Sequence, residues 1–174
     1  MDYLDVPLSE AYELLNPGGL ILVCTRSADG RYDLAPVAWN CPLDYEPASE
    51  VLFVCEPGRR TCEDLADSGE FAIALPTSAQ RSLIEKTGSS SGRDLDKYAA
   101  YGIAAFAAQK VDARIPEGVA GWLECRLLRV IVEGSSAVVM GEVLRAAAAL
   151  DAWKERVHYV REGLWYAPGK PLGD

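Results

Sequence analysis

Histidine is almost missing from this chain of 174 residues, with His158 the single example. That shortage removes imidazole-based triads and most histidine-based metal sites. The five cysteines, at 24, 41, 55, 62 and 125, are odd in number and form no CxxC pair. A disulfide framework and a zinc site are therefore not expected, and most of these thiols read as small core hydrophobes. No apolar run approaches the length of a membrane span. The opening MDYLDVPLSE lacks the basic-then-apolar form of a leader, so the expected compartment is the cytoplasm and no membrane is expected as a partner. No GxGxxG follows a strand, so no separate dinucleotide-binding turn is visible. Positive charge is also short: 17 Lys and Arg against 26 Asp and Glu give a net charge of −9 and a pI near 4.7. Such a chain repels a phosphate backbone, and nucleic acid is not an expected partner. With so few titrating groups of the usual catalytic kinds, any chemistry is expected to be borrowed from a cofactor.

What is present suits one globular domain over residues 1–174, with 49% apolar and 25% charged residues. Residues 8–16 read as a short helix with Ser9 as its cap, stopped by Pro17-Gly18-Gly19. LILVCTRS, 20–27, is an apolar strand that turns at Asp29-Gly30 into YDLAPVAWN. VLFVC, 51–55, is a third strand. RRTCEDLADSG predicts a short helix capped by Thr61 and ended by Gly69, EFAIALP a strand, and SAQRSLIEKT a helix capped by Ser78. GSSSGRD has the composition of a flexible loop. LDKYAAYG reads as two helical turns closed by Gly102. FAAQKVDARI reads as one strand into Pro116, and the long alternating segments on either side of Gly134-Ser135 as an antiparallel pair. A short helix is expected around 154–160, before Trp165 and Tyr166. Many strands at short spacing with inserted helices predict a mainly β fold, a small antiparallel Greek-key-like barrel.

Two stretches carry chemistry. APVAWNCP, 35–42, belongs to a strand yet holds Pro36 and Pro42, which supply no N–H and are tolerated only at edges, bulges and ends. Backbone donors between Val37 and Cys41 are therefore free to face the edge of a planar heterocycle beside Trp39; a bulged edge strand whose tryptophan fills core is the alternative. GRRT, 58–61, sets Arg59 and Arg60 at the start of a helix, where cations oppose the dipole unless an anion is present. A phosphate would resolve that conflict, and a solvated basic pair is the alternative. Cys62, after two arginines at a helix start, is either a reactive thiol or present only for its backbone N–H. Lys97, from its residues alone, reads as a surface partner of Arg93-Asp94 or a free side chain.

The order of APVAWNCPL, GRRT, SGEFAIALP, DLDKY, IPEGVAGWLEC and MGEV resembles the flavin reductase-like family, and within it flavoredoxin-type FMN-binding split barrels. The likeness runs from about residue 15 to the C-terminus. It implies FMN at a homodimer interface, with Ala35, Pro36, Val37, Ala38, Trp39 and Asn40 along the ring and Arg59, Arg60, Thr61 and Cys62 around the phosphate. It implies that Lys97 stands near the phosphate or the pyrimidine end, and that Tyr166 or Trp165 covers the ring. Asp33 departs from the family's usual Asn; an ionised carboxylate there disfavours the reduced anionic cofactor. A histidine that some relatives carry near MGEV has no counterpart here.

The expected function is that of an FMN-binding oxidoreductase or electron carrier, fed by NAD(P)H or a redox protein. The alternatives are a flavin reductase releasing reduced FMN to a monooxygenase, and a non-enzymatic protein holding FMN, haem or another planar ligand. A barrel that has lost its cofactor, disabled at Asp33, is a further one.

Overall fold

The computed structural model describes residues 18–169 together with Pro7, Ser9 and Leu15, without the side chains of Leu150 and Trp153. The helix expected over 8–16 thus lies outside the described residues except at Ser9 and Leu15. In chain order the elements are β1 (Gly18–Gly19), β2 (Ile21–Arg26), β3 (Tyr32–Val37), β4 (Asn40–Asp44), β5 (Glu50–Cys55), α1 (Arg60–Ser68) and β6 (Glu70–Leu75). There follow α2 (Arg81–Gly88), α3 (Lys97–Tyr101), β7 (Ala105–Ala107), β8 (Arg114–Pro116), β9 (Gly121–Glu133), β10 (Ser136–Ala148), β11 (His158–Arg161) and β12 (Leu164–Tyr166). None of the described helices is long and apolar enough to cross a membrane.

Seven strands form one antiparallel sheet in the order β3-β2-β6-β9-β10-β5-β4. β3 and β4 are consecutive in the chain but sit at opposite edges, with only Ala38 and Trp39 between them. So short a bridge is possible only if the sheet curls until its edges approach, which makes a barrel split along that seam. The Trp39 carbonyl holds the seam by accepting from the Val54 N–H at 2.9 Å. Pro36 and Pro42 lie on these two edge strands, where a missing N–H breaks no ladder. Residues 32–40, expected as a single return strand, are therefore two strands bent apart.

β2 and β6 are buried on both faces. Ile21, Val23, Phe71 and Ile73 point into the barrel with Phe53, Cys125, Val139 and Leu65 of α1. Leu22, Cys24, Ala72 and Ala74 pack outward against Ile84 of α2 and Ile115 of β8. Strands with two covered faces read as continuous apolar runs, and each fully buried Leu, Ile or Phe is worth about 1.5–3 kcal/mol. Inside the barrel the Phe71 ring leaves no space opposite: a Cβ on Gly141 would stand 2.5 Å from its Cζ.

Four elements differ from the expectation. The helix after β5 starts at Arg60 with Arg59 as its cap, one residue before Thr61, which is buried in the first turn. The helix over 78–87 is entered through a 3₁₀ turn capped by Thr77, not Ser78; the Thr77 N–H donates to Gln80 Oε1 at 3.1 Å. The segment over 105–116 is a short hairpin, not one strand, because the Gln109 and Lys110 N–H groups turn aside to donate to the buried Glu124 carboxylate at 2.8 and 2.5 Å. In the tail, the helix expected over 154–160 is a 3₁₀ segment over Leu150–Glu155, and β11 takes the rest. Its β-branched and aromatic residues pair across a Gly163 turn (φ 76°) with β12, and Tyr159 meets Trp165 edge to face at 4.8 Å between ring centroids.

Candidate functional site

The seam between β3 and β4 opens into a cleft of about 990 Å³. One wall is the β3 edge and the bridge, Ala35, Pro36, Val37, Ala38 and Trp39. Opposite stand the end of β5 and the first turn of α1, with Arg59, Arg60 and Thr61. Asp33 and Lys97 join them, and the loop after α2 (Ser89 to Asp94) closes one side. Ser135 and Ser136, at the β9–β10 turn, reach the far rim.

Lys97 is 3% exposed and its Nζ lies 3.0 Å from Asp33 Oδ1 and 2.8 Å from the Leu34 carbonyl, to which it donates. Position is imposed by α3, whose N-cap Asp96 accepts from the Ala99 N–H at 3.0 Å and whose Gly102 ends it in the left-handed region. The surface pairing with Arg93 and Asp94 that local spacing suggested does not form. The ion contact satisfies charge but not hydrogen-bond geometry: Asp33 Oδ1 is buried and accepts no hydrogen bond. Gly92 covers this carboxylate so closely that a Cβ would lie 2.5 Å from Asp33 Cγ.

The α1 end of the cleft has a helix start with no side-chain cap. First-turn amides of a helix favour an anion; here the Cys62 N–H already donates to the Arg59 carbonyl at 3.0 Å, which leaves those of Arg60 and Thr61. The flanking arginines are already compensated: Arg59 Nε lies 2.8 Å from Glu56, and Arg60 Nε lies 2.7 Å from Asp64, with Asp29 at 3.7 Å. The cation-against-dipole conflict is thus met by protein carboxylates, and an anion site here rests on the amides and the cleft geometry. Burial pushes the Asp64 carboxyl above its ordinary value, although Thr25 donates to it at 2.7 Å and Arg60 faces it.

Of the expected site residues, Asp33, Ala35, Pro36, Val37, Ala38, Trp39, Arg59, Arg60, Thr61 and Lys97 come together on this cleft. Asn40, Cys62 and Tyr166 do not line it. Asn40 turns back, its amide donating to the Gly19 and Ala38 carbonyls at 2.8 and 3.2 Å. Cys62 points towards Cys55. Tyr166 is in β12, opposite His158 and half exposed.

Sequence reasoning missed the loop over 89–94. Its composition suggested a linker, yet Arg93 straps it to α1, donating to Glu63 at 2.6 and 3.2 Å and to the Gly58 carbonyl at 2.6 Å. Three hydroxyls beside a glycine and an arginine were the available signal, and they pointed equally well to solvent. Among the described residues no group of His, Cys, Asp and Glu is arranged to hold a metal ion.

Comparison with known proteins gives one consistent answer. The Escherichia coli protein YddH is 31% identical over 149 residues, covering 84% of this chain and 78% of its own. The solved FMN-binding domain of a flavin reductases-like enzyme from Shewanella baltica is 30% identical, with a TM-score of 0.76 over 97% of this chain and 95% of that one. The flavoredoxin of Desulfovibrio vulgaris (Miyazaki F) shares the fold, with a TM-score of 0.84 at 21% identity over 100% and 97% of the two chains. The sequence pattern of the flavin reductase like domain matches residues 14–168, nearly the whole chain, and the protein belongs to that family of split barrels.

Proposed function

We propose that the cleft binds FMN and that the protein is a flavin-dependent oxidoreductase or electron carrier, taking reducing equivalents from NAD(P)H or a redox protein. The observation that carries this is the meeting, in one cleft of about 990 Å³, of an irregular backbone edge over 35–39 with an uncapped helix start. The residues fit the group on two further counts. Asp33 Oδ1, buried without a hydrogen bond, offers an acceptor to a ribityl hydroxyl or a ring N–H. Gly92 leaves bare backbone beside it. Membership of the family and the Shewanella relative's description as FMN-binding support the same reading.

Bound FMN would accept a hydride and release electrons singly or in pairs. The chain's own part is binding and electrostatics. The α1 amides would hold the phosphate. The backbone over 35–39 would line the ring, and the Asp33–Lys97 pair would set the field beneath it. No side chain is asked to act as nucleophile.

A second copy of this chain is proposed to cover the site. Residues 128–133 of β9 are exposed on both faces, with Val132 56% and Ile131 41% exposed. An exposed hairpin arm with Leu128, Val130 and Val132 along one face suits a homodimer. The same turn brings Ser135 and Ser136 to the cleft rim, next to that surface.

The test is the visible absorption spectrum of the protein after mixing with FMN and desalting, followed by addition of NADH or NADPH. Retained flavin bands that bleach with a nicotinamide support an oxidoreductase. Bands that stay but bleach only with a redox protein support a carrier. Flavin lost entirely in the column, with catalytic turnover of added FMN, supports a reductase that releases its product. Protein that neither holds nor reduces FMN contradicts the proposal.

A further inference from the structure

Five thiols are free among the described residues, and two of them stand together. Cys55 ends β5 on the cleft wall, and Cys62 sits in the first turn of α1. Their Sγ atoms are 2.8 Å apart, closer than two unbonded sulfurs ordinarily approach, and both side chains are half-buried, neither shut in the core. The residues between them form the tight turn that carries Arg59 and Arg60, closed by the Arg59 N–H donating to the Glu56 carbonyl at 3.1 Å. The other three thiols have no such partner. Cys24 and Cys125 are buried, which pushes each up to about 12, and Cys41 is exposed and alone.

We propose that Cys55 and Cys62 are a reversible dithiol–disulfide site that reacts with low-molecular-weight disulfides and, when oxidised, locks the arginine turn at the mouth of the cleft. The inference does not rest on flavin binding.

The step balances without any further reagent. The Cys62 thiolate attacks one sulfur of a disulfide RSSR, forming a Cys62–SR mixed disulfide and expelling RS⁻, which takes up a proton. Cys55 then gives its proton to solvent, attacks Cys62 Sγ and expels the second RS⁻, protonated in turn. Two thiols are oxidised by two electrons and RSSR is reduced to two RSH. Cys62 is the better first nucleophile because it sits in the first turn of α1, where the helix dipole favours a thiolate; the contact with Cys55 holds its thiol below the ordinary value, while that contact and burial push Cys55 up. Closing the bond needs the sulfurs to approach from 2.8 Å to about 2.05 Å, a motion within reach of side-chain rotation.

The test uses the reduced full chain and 2-hydroxyethyl disulfide, with acid quenching, alkylation of remaining thiols and tryptic mass mapping. Arg59 and Arg60 lie between the two cysteines, so trypsin leaves two peptides joined only by the disulfide; Cys41 shares the Cys55 peptide, residues 32–59, so fragmentation of the linked pair places the bond on Cys55 or Cys41. The expected result is loss of two alkylatable thiols together, as the linked peptide pair, while Cys41 holds the mixed disulfide. Dithiothreitol restores both thiols. In Cys55→Ser, Cys62 should instead retain the mixed disulfide. A mixed disulfide persisting on Cys62 of the unaltered protein, as on Cys41, would overturn the proposal. So would full alkylation of Cys55 and Cys62 after Cys41 has been consumed. The linked-peptide result on the unaltered chain stands whether or not the serine variant folds.

Discussion

Asp33 and Lys97 share a site in which neither charge has water to fall back on: their side chains are 7% and 3% exposed at a separation of 3.0 Å. Burying such a pair gains little net stability, but breaking it strands a charge. Lys97→Met is therefore expected to cost about 3–5 kcal/mol in urea unfolding. Asp33→Asn with Lys97→Met should recover a large part of that loss, which a double-mutant cycle measures. Asp33→Asn alone leaves Lys97 uncompensated on the cleft. If FMN binds as proposed, its midpoint potential should then rise, and an unchanged potential in a redox titration would remove Asp33 from the electrostatic account. At this scale the sequence was half legible. Lys97 was marked by its likeness to a family position and Asp33 by its departure from one, but 64 residues of chain separate them and nothing local says that they meet. Local spacing pointed Lys97 to the surface instead.

Element boundaries show where local rules prevail and where distant contacts override them. The long β9–β10 hairpin, the β2–β3 turn and the ends of α1 and α3 at Gly69 and Gly102 follow from alternation and left-handed glycines, and the structure has them. The 105–116 segment does not, because its backbone answers a carboxylate on another strand. Glu124 is fully buried and accepts from Gln109 and Lys110 N–H, Trp122 Nε1 and Arg145. Burial works to raise its acidity constant's exponent, but the bonds from Lys110, Trp122, Gln109 and Arg145 outweigh burial and hold the carboxyl below its usual range. A depressed folded value contributes stability above the unfolded value, about pH 4.3, and loses it as pH falls through the folded one. The midpoint temperature of the unaltered protein should accordingly drop more steeply below about pH 4.3 than that of Glu124→Gln. At neutral pH the variant should be less stable by about 1–3 kcal/mol.

The loop over 89–94 is an element of another sort, ordered by one strap. Its Arg93–Glu63 pair is close to half exposed, so Arg93→Ala is expected to change stability by less than about 1 kcal/mol. FMN affinity should nevertheless weaken several-fold, because the strap holds both the loop and the Gly58 turn on the cleft. Fluorescence titration beside urea unfolding separates the two effects. Equal loss in both would assign Arg93 to stability alone.

For the molecule as a whole, barrel closure and cleft formation are one event. Two residues join opposite edges of a seven-stranded sheet, and the split they leave is the site. No periodicity in APVAWNCP shows that β3 and β4 lie at opposite edges; only the two prolines hinted that both strands lack a neighbour. The exposed apolar arm over 128–133 bears on assembly: light scattering should give a dimer mass for the unaltered chain, and Val132→Glu should give a monomer. A monomeric unaltered protein would remove the second copy from the account.

The central claim is that the helix start of α1 and the backbone edge over 35–39 bind the two ends of one ligand. Parallel titrations with FMN and riboflavin, followed by quenching of flavin fluorescence, test it most directly. FMN should bind saturably and riboflavin should bind more weakly by about tenfold or more, since riboflavin lacks the phosphate held by charge-assisted bonds. Equal affinity for the two, or no binding of either, would contradict it.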